Sequence, residues 1–291
     1  MSLWYKWPNG GSLDPGQILP LFLISVTAGI LGSMLGLGGG IIIVPALTLL
    51  FHRDVHEAVG VSMVSVIATS ISATGVYLRH GYVNVSLGLY LQLATVAGAI
   101  AGGYIGVGTK PVYLEILFGA MLLYTAYSMA RGKSAGASSD EYLNENDLNH
   151  LDIHQFVDAA TGKEHVYCPG AMVVGACASV GAGLLSGLLG VGGGFIKVPV
   201  MHLLMGVPLK AAIATSNYII GMTAAASAMI YFSRGYVKPL TVAPCAIGVL
   251  LGAQIGSRIG SRVHSAALRW AFVALLIFVS AQMLKKAAGG G

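Results

Sequence analysis

Apolar residues recur along this chain in blocks that are long and regularly spaced. They cover about 18–35, 41–51, 57–79, 85–107 and 111–130, then 170–189, 195–206, 209–233, 239–260 and 266–284. Four blocks on each side of the middle have the roughly 20 residues a helix needs to cross a hydrocarbon core. The blocks 41–51 and 195–206 are shorter, and about 11 helical residues rise only ~17 Å. A helix that short within a membrane is re-entrant or broken, and needs protein or a water-filled cavity around its ends. The expected fold is an all-α polytopic transmembrane bundle built from two homologous repeats. Each repeat has about four full-length helices and one short re-entrant or broken helix.

The residues behind the blocks also repeat. GLGGGIIIVPALTLL from Gly36 is answered by GVGGGFIKVPVMHLL from Gly190, and ATSISATGVYLRHGYV from Ala68 by MTAAASAMIYFSRGYV from Met222. From Ala28 to Gly106 about three in ten positions match the residue about 154 further on, as a duplicated unit does. Pro45 and Pro199 fall early in the short elements, where a first-turn proline lacks only an N–H that has no helical acceptor. If each short element crosses fully, the copies are inverted; if it dips and returns, they are parallel. Lys and Arg are nearly balanced between the two sides in either case. Paired broken helices in transporters favour the inverted arrangement.

The chain divides into an interfacial lead-in (1–16), a first transmembrane repeat (17–131), a polar aqueous linker (132–168), a second repeat (169–286) and a flexible tail (287–291). Trp4, Tyr5 and Trp7 of the lead-in suit the headgroup level, and no basic-then-apolar leader precedes them. The linker holds seven of the 11 acidic residues: Asp140, Glu141, Glu145, Asp147, Asp152, Asp158 and Glu164. A short helix is expected around Leu148–Val157. A connection this long is usually functional or flexible.

Composition removes other classes. The chain is 55% hydrophobic and 9% charged, against about 25% charged in soluble domains, and its mean hydropathy is +0.77. The net charge of +5 is scattered at block ends, which gives no footprint for nucleic acid. Cys168, Cys177 and Cys245 show neither metal-type spacing nor a disulfide framework.

The chemistry centres on the glycine clusters, Gly36, Gly38, Gly39, Gly40 and Gly190, Gly192, Gly193, Gly194. Glycine lets successive N–H groups turn toward one point, and the helix that follows adds the positive end of its dipole. That combination holds an anion without any charged side chain. The competing reading is close helix packing through small residues. The duplication, with a short helix and a proline after each copy, favours a site formed by Gly38, Gly39, Gly40, Gly192, Gly193 and Gly194. Ser62, Ser65 and Thr69 share one helix face, and the aligned positions hold Ser216, Ile219 and Thr223 beside Thr215, Asn217 and Tyr218. Ser62, Ser216 and Asn217 are the expected polar contacts, against helix–helix hydrogen bonding as the alternative.

Lys197 stands where the first copy has Ile43, on the short element that also carries His202. A cation at membrane depth is costly unless it snorkels, faces a cavity or meets an anion. Outside the linker the acids are Asp14, Asp54, Glu57 and Glu115, all near block ends. Cation pathways use intramembrane carboxylates, so the balance favours an anion as cargo. Arg79 and Arg234 close the third block of each half, where anchoring at the interface is the commoner role. His150 and His154, with Asp147 or Asp152, could share a metal on one helix face, although solvated surface is the commoner meaning. Nothing beside Cys168 activates its thiol, and no cofactor is called for.

The twin GLGGGIIIVP and GVGGGFIKVP motifs, the GVPLKAAIATS stretch and the RGYV closing motif resemble the sulfite exporter TauE/SafE family of membrane permeases. The resemblance spans nearly the whole chain except 132–168 and the first fifteen or so residues. It implies a multi-pass plasma-membrane permease for small sulfur-containing anions such as sulfite or organosulfonates. The expected function is a secondary permease, not an enzyme, with alternating access around a site between the repeats. A passive anion channel, or an integral-membrane sulfur-handling or metal-dependent module using the linker, are the alternatives. Expected partners are a small anionic substrate, the lipid bilayer and a coupling ion, proton or sodium; a homo-oligomer is compatible with the sequence.

Overall fold

The computed structural model describes residues 15–131, 153–157, 162, 164–260 and 265–289. Their helices are α1 (Pro15–Leu35), α2 (Gly40–Leu50), α3 (Val55–Arg79), α4 (Val85–Gly108), α5 (Pro111–Arg131), α6 (Met172–Leu189), α7 (Gly194–Leu204), α8 (Leu209–Ser233), α9 (Pro239–Gly260) and α10 (Ser265–Gly289). Among them α1, α3, α4, α6, α8 and α9 are long and apolar enough to cross a membrane. Leu23, Ile71, Leu93 and Met229 are exposed large apolar side chains on these helices, the surface a lipid environment would cover.

Local chemistry sets the helix ends. Asp54 caps α3 by accepting from the His56 N–H at 2.8 Å, and Asn84 caps α4 by accepting from Leu87 N–H at 3.0 Å. The short helices differ from expectation in one respect. Each begins at the last glycine of its cluster, so Pro45 and Pro199 stand in the second turn rather than the first. There the missing N–H and the bulk of the ring disturb the turn. The chain answers by widening: Ala46–Leu50 and Val200–Leu204 are π-helical, with Phe51 N–H bonded to Ala46 C=O at 3.3 Å and Met205 N–H to Val200 C=O at 3.1 Å.

Close packing through small residues fixes the helix directions. Gly248 abuts Phe22 and Ser25, Gly252 abuts Val26 and Ile30, and Gly256 abuts Ile30 and Ser33. The numbers rise together, so α1 and α9 are parallel. The same reading holds for α4 and α6, where Gly98 meets Val180 and Gly102 meets Leu184. On α3, Gly60 lies by Tyr236, Ser72 donates to Leu250 C=O and Tyr77 reaches Gly260, which makes α3 parallel to α9. Short turns join α3 to α4 and α8 to α9. One direction is therefore shared by α1, α3 and α9, and the opposite one by α4, α6 and α8. Helices at matching places in the two halves, α1 with α6 and α3 with α8, run against each other.

The linker holds a correction. Instead of continuing a helix to Val157, residues His154–Val157 form strand β1, paired antiparallel with β2 (Glu164–Tyr167) in the register His154↔Tyr167 and Phe156↔His165. Alternation explains it: Phe156 is buried while Gln155 and Val157 are exposed. The hairpin leans on the α3–α4 turn, with the Phe156 ring 5.1 Å from that of Tyr82 and His154 Nε2 3.1 Å from Gly81 O. A helix face shared by His150 and His154 does not exist, because His154 is in a strand. Asp147, His150 and Asp152 lie outside the described residues, as do Trp4, Tyr5 and Trp7.

Candidate functional site: two glycine corners in contact

After α1 the chain folds back on itself. Leu37 and Gly38 N–H both point to Gly32 C=O, at 2.8 and 3.4 Å, and Gly39 takes a left-handed φ of 75° before α2 begins. A side chain resists that φ, so the corner needs glycine there. The second corner repeats the device: Gly190 N–H bonds Ser186 C=O at 2.9 Å, and Gly193 has φ 75° ahead of α7. In the first turns, Ile42 and Ile43 N–H bond Gly39 C=O, and Ile196 and Lys197 N–H bond Gly193 C=O. Among the described residues, Gly40, Ile41, Gly194 and Phe195 N–H have no backbone acceptor, as the first turn of a helix leaves them.

The two corners touch. Gly40 packs on the Gly190 carbonyl and Val191, and Gly194 on the Gly36 carbonyl and Leu37. A methyl group on Gly40 would stand 2.5 Å from Gly190 O, so only glycine allows this approach. Gly38 and Gly192 both rest on Val66 of α3 and Ile220 of α8. The corners are buried throughout, closed in by this apolar pair.

Hydroxyl groups cross between the halves. Ser62 Oγ donates to Gly190 C=O at 2.6 Å, and Ser216 Oγ donates to Gly36 C=O at 2.7 Å. Asn217 Nδ2 donates to Ser33 C=O at 3.0 Å and to Ile213 C=O at 3.1 Å, while its Oδ1 is buried without a partner. Tyr77 OH donates to the same Ser33 carbonyl at 3.1 Å. Ser186 Oγ, beside Gly193, is also buried and unpartnered.

Lys197 is the charge in this cluster. It is 2% exposed, and its Nζ lies 3.3 Å from Gly192 O and 3.3 Å from Thr223 Oγ1. It sits on the fourth residue of α7, and helix side chains slant toward the N-terminus. That geometry carries the ammonium back over the glycine corner. Among the described residues no carboxylate lies within ion-pair distance of it. An ion-paired acid lies elsewhere: Glu57 Oε2 meets Lys238 Nζ at 2.7 Å, where α3 starts. Asp54 lies at the same end, and the hydrogen bond from His56 holds its carboxyl below the usual carboxylate range against the opposing effect of burial.

The structure thus brings Gly38, Gly39, Gly40, Gly192, Gly193, Gly194, Ser62, Ser216, Asn217 and Lys197 into one cluster. Ser65 and Thr69 are turned inward along their own helix, bonded at 3.0 Å to Val61 and Ser65 carbonyls. Arg79 and Arg234 are exposed at helix ends, and His202 Nδ1 contacts Val207 O at 3.0 Å, beyond the far end of α7. Sequence reasoning missed Val66 and Ile220, whose apolar side chains carry no chemical signal, and Ser186, which has Gly32 as its counterpart. The matching positions of Val66 and Ile220 in the repeat were the only clue.

The family model for the sulfite exporter TauE/SafE matches residues 21–283. The chain belongs to that family. It is 33% identical over 244 residues to the probable membrane transporter protein YunE of Bacillus subtilis (strain 168), covering 80% of this chain and 86% of YunE. A probable membrane transporter protein of Methanocaldococcus jannaschii is 26% identical over 80% of this chain and 81% of its own length. YdhB of Bacillus subtilis, also a probable membrane transporter protein, is 24% identical over 81% of this chain and 86% of YdhB. No solved structure matches. Family and apolar helices together make this TauE/SafE member a multi-pass membrane protein, and its relatives identify it as a membrane transporter.

Proposed function

We propose that this chain is a secondary transporter for a small anion, a sulfur-containing oxyanion such as sulfite or an organosulfonate, working by alternating access around the paired corners. The observation that carries the reading is the meeting of two half-helix starts at the buried centre, with first-turn N–H groups that lack a backbone acceptor, one lysine and, among the described residues, no carboxylate paired with it. Peptide dipoles and the ammonium stabilise negative cargo there, and low polarity around them strengthens each contact. The anion's oxygens accept from Gly40, Ile41, Gly194 and Phe195 N–H, with Ser62, Ser216 and Asn217 framing the site.

Val66 and Ile220 close the site by touching both corners. A duplicated, inverted pair of halves can rock so that either face of this closure opens in turn, with similar energies because the two faces are built alike. The family description, which names sulfite, and relatives described as probable membrane transporters support the same reading. The test is uptake of labelled sulfite, isethionate, sulfoacetate and taurine into proteoliposomes. Saturable flux with counterflow is expected. Unsaturable conductance in a planar bilayer would instead indicate a passive pore, and no flux of any of them overturns the proposal.

A further inference from the structure

The buried lysine raises a problem that the anion site alone does not solve. An ammonium fully withdrawn from water is strongly unfavourable unless a counter-charge faces it. Among the described residues Lys197 has only two neutral oxygens, at 3.3 Å, long for a charged donor, whose bonds are usually near 2.7–2.9 Å. Titratable and charged groups on the elements packed against α7 are Tyr113, Glu115, Tyr124, Tyr127 and Arg131 on α5, Cys177 on α6, and Lys210, Tyr218 and Tyr231 on α8. Among the described side chains none of them is bonded to Nζ. Tyr231 instead reaches Leu188 C=O, and His202, further along α7, contacts Val207 O. Ser186 Oγ, next to Gly193, is a second buried polar atom at this corner and has no hydrogen-bond partner among the described residues. The first corner has Ile43 at the place of Lys197 and Gly32 at that of Ser186.

Resting on the anion reading above, we infer that Lys197 takes up one proton with each anion and releases it when the anion leaves, so that the chain is a proton–anion symporter. The loaded site holds the ammonium beside the anion. The empty site holds the neutral amine, its lone pair free, with the proton returned to water on the side where the anion departs. One N–H bond forms on loading and the same bond breaks on unloading, so charge and atoms balance. The empty carrier then crosses its closed state without an unpaired buried charge, which is the step a permanent cation would obstruct.

The test uses isethionate, a sulfonate that stays fully ionised, so every proton counted belongs to the protein. Wild-type proteoliposomes are clamped at zero membrane potential, given an inward proton gradient and loaded with a pH dye. Isethionate should accumulate against its own gradient, with about one proton entering per anion. In Lys197→Arg, whose guanidinium keeps its proton, the ratio of net uptake to anion–anion exchange should fall by at least about tenfold. In Lys197→Ile, proton entry per anion should vanish. Saturable wild-type isethionate flux with no accompanying proton overturns the inference and leaves anion transport standing. So does Lys197→Arg accumulating isethionate on a proton gradient as wild type does. Absence of any saturable anion flux overturns both readings.

Discussion

Ser62 on α3 donates its hydroxyl to the carbonyl of Gly190, at 2.6 Å, and so ties one half of the chain to the glycine corner of the other. Ser216 returns the contact to Gly36 at 2.7 Å. Either serine changed to Ala leaves a buried carbonyl without its donor, at a cost of about 1–3 kcal/mol. Ser62→Ala and Ser216→Ala should lower the unfolding midpoint in detergent by comparable amounts. The double variant should deviate from additivity, because both bonds close one cluster. Unequal single effects differing by more than about 2 kcal/mol would contradict the reciprocal arrangement.

Gly40→Ala and Gly194→Ala drive a methyl group into the opposing corner's backbone. A carbonyl cannot rotate aside as a side-chain tip does, so the corners must part, costing on the order of 1–3 kcal/mol or more. Transport should fall to background in both. Gly181→Ala is the control: nothing lies within 4 Å of its new methyl on the exposed face of α6. There the substitution should stabilise the helix by about 0.5–1 kcal/mol. Equal tolerance at Gly181 and Gly194, read from detergent melting curves, would refute the close contact.

The Glu57–Lys238 pair joins the start of α3 to the residue before α9, with the Glu57 side chain only 7% exposed. Lys238→Met strands a buried carboxylate and should destabilise the fold by about 3–5 kcal/mol. Combining it with Glu57→Gln should recover most of that loss, which a double-mutant cycle by chemical unfolding would measure. Failure of the second change to rescue the first would show that the pair is not the source of the effect.

Acid should act through Asp54. His56 holds its carboxyl below the ordinary value of 3.8, so the ionised form stabilises the folded state. That contribution is complete above the unfolded value and is lost as pH falls through the lower folded one, that is, below about pH 4. Asp54→Asn should flatten stability between about pH 4 and 2. A wild-type acid limb identical to that of the variant would remove Asp54 from the account.

Much of this architecture was legible from hydropathy. The block 85–107 became Val85–Gly108, 57–79 became Val55–Arg79, and 239–260 became Pro239–Gly260. The two short elements also stand where the pattern placed them, because a helix in a lipid-facing bundle must bond its own backbone and its apolar length is printed in the residues. Pro45 and Pro199 stand one turn deeper in their helices than the pattern suggests, since no sequence signal tells which glycine is the last outside the helix. The linker hairpin has no such signal either. Four-residue strands such as His154–Val157 are too short for alternation to stand out, and what stabilises them is the distant Tyr82 ring.

Chain chemistry alone, then, specified the membrane helices, the glycine-rich breaks and the stock of polar groups available near them, because each depends on neighbours within a few positions. Folding in three dimensions determined that the breaks touch, that Val66 and Ile220 seal them, and that Ser62 faces Gly190, 128 residues away. Those contacts join segments whose mutual direction no local propensity encodes. They follow from which small-residue faces pack, and that is settled only when α1 finds α9 and α4 finds α6.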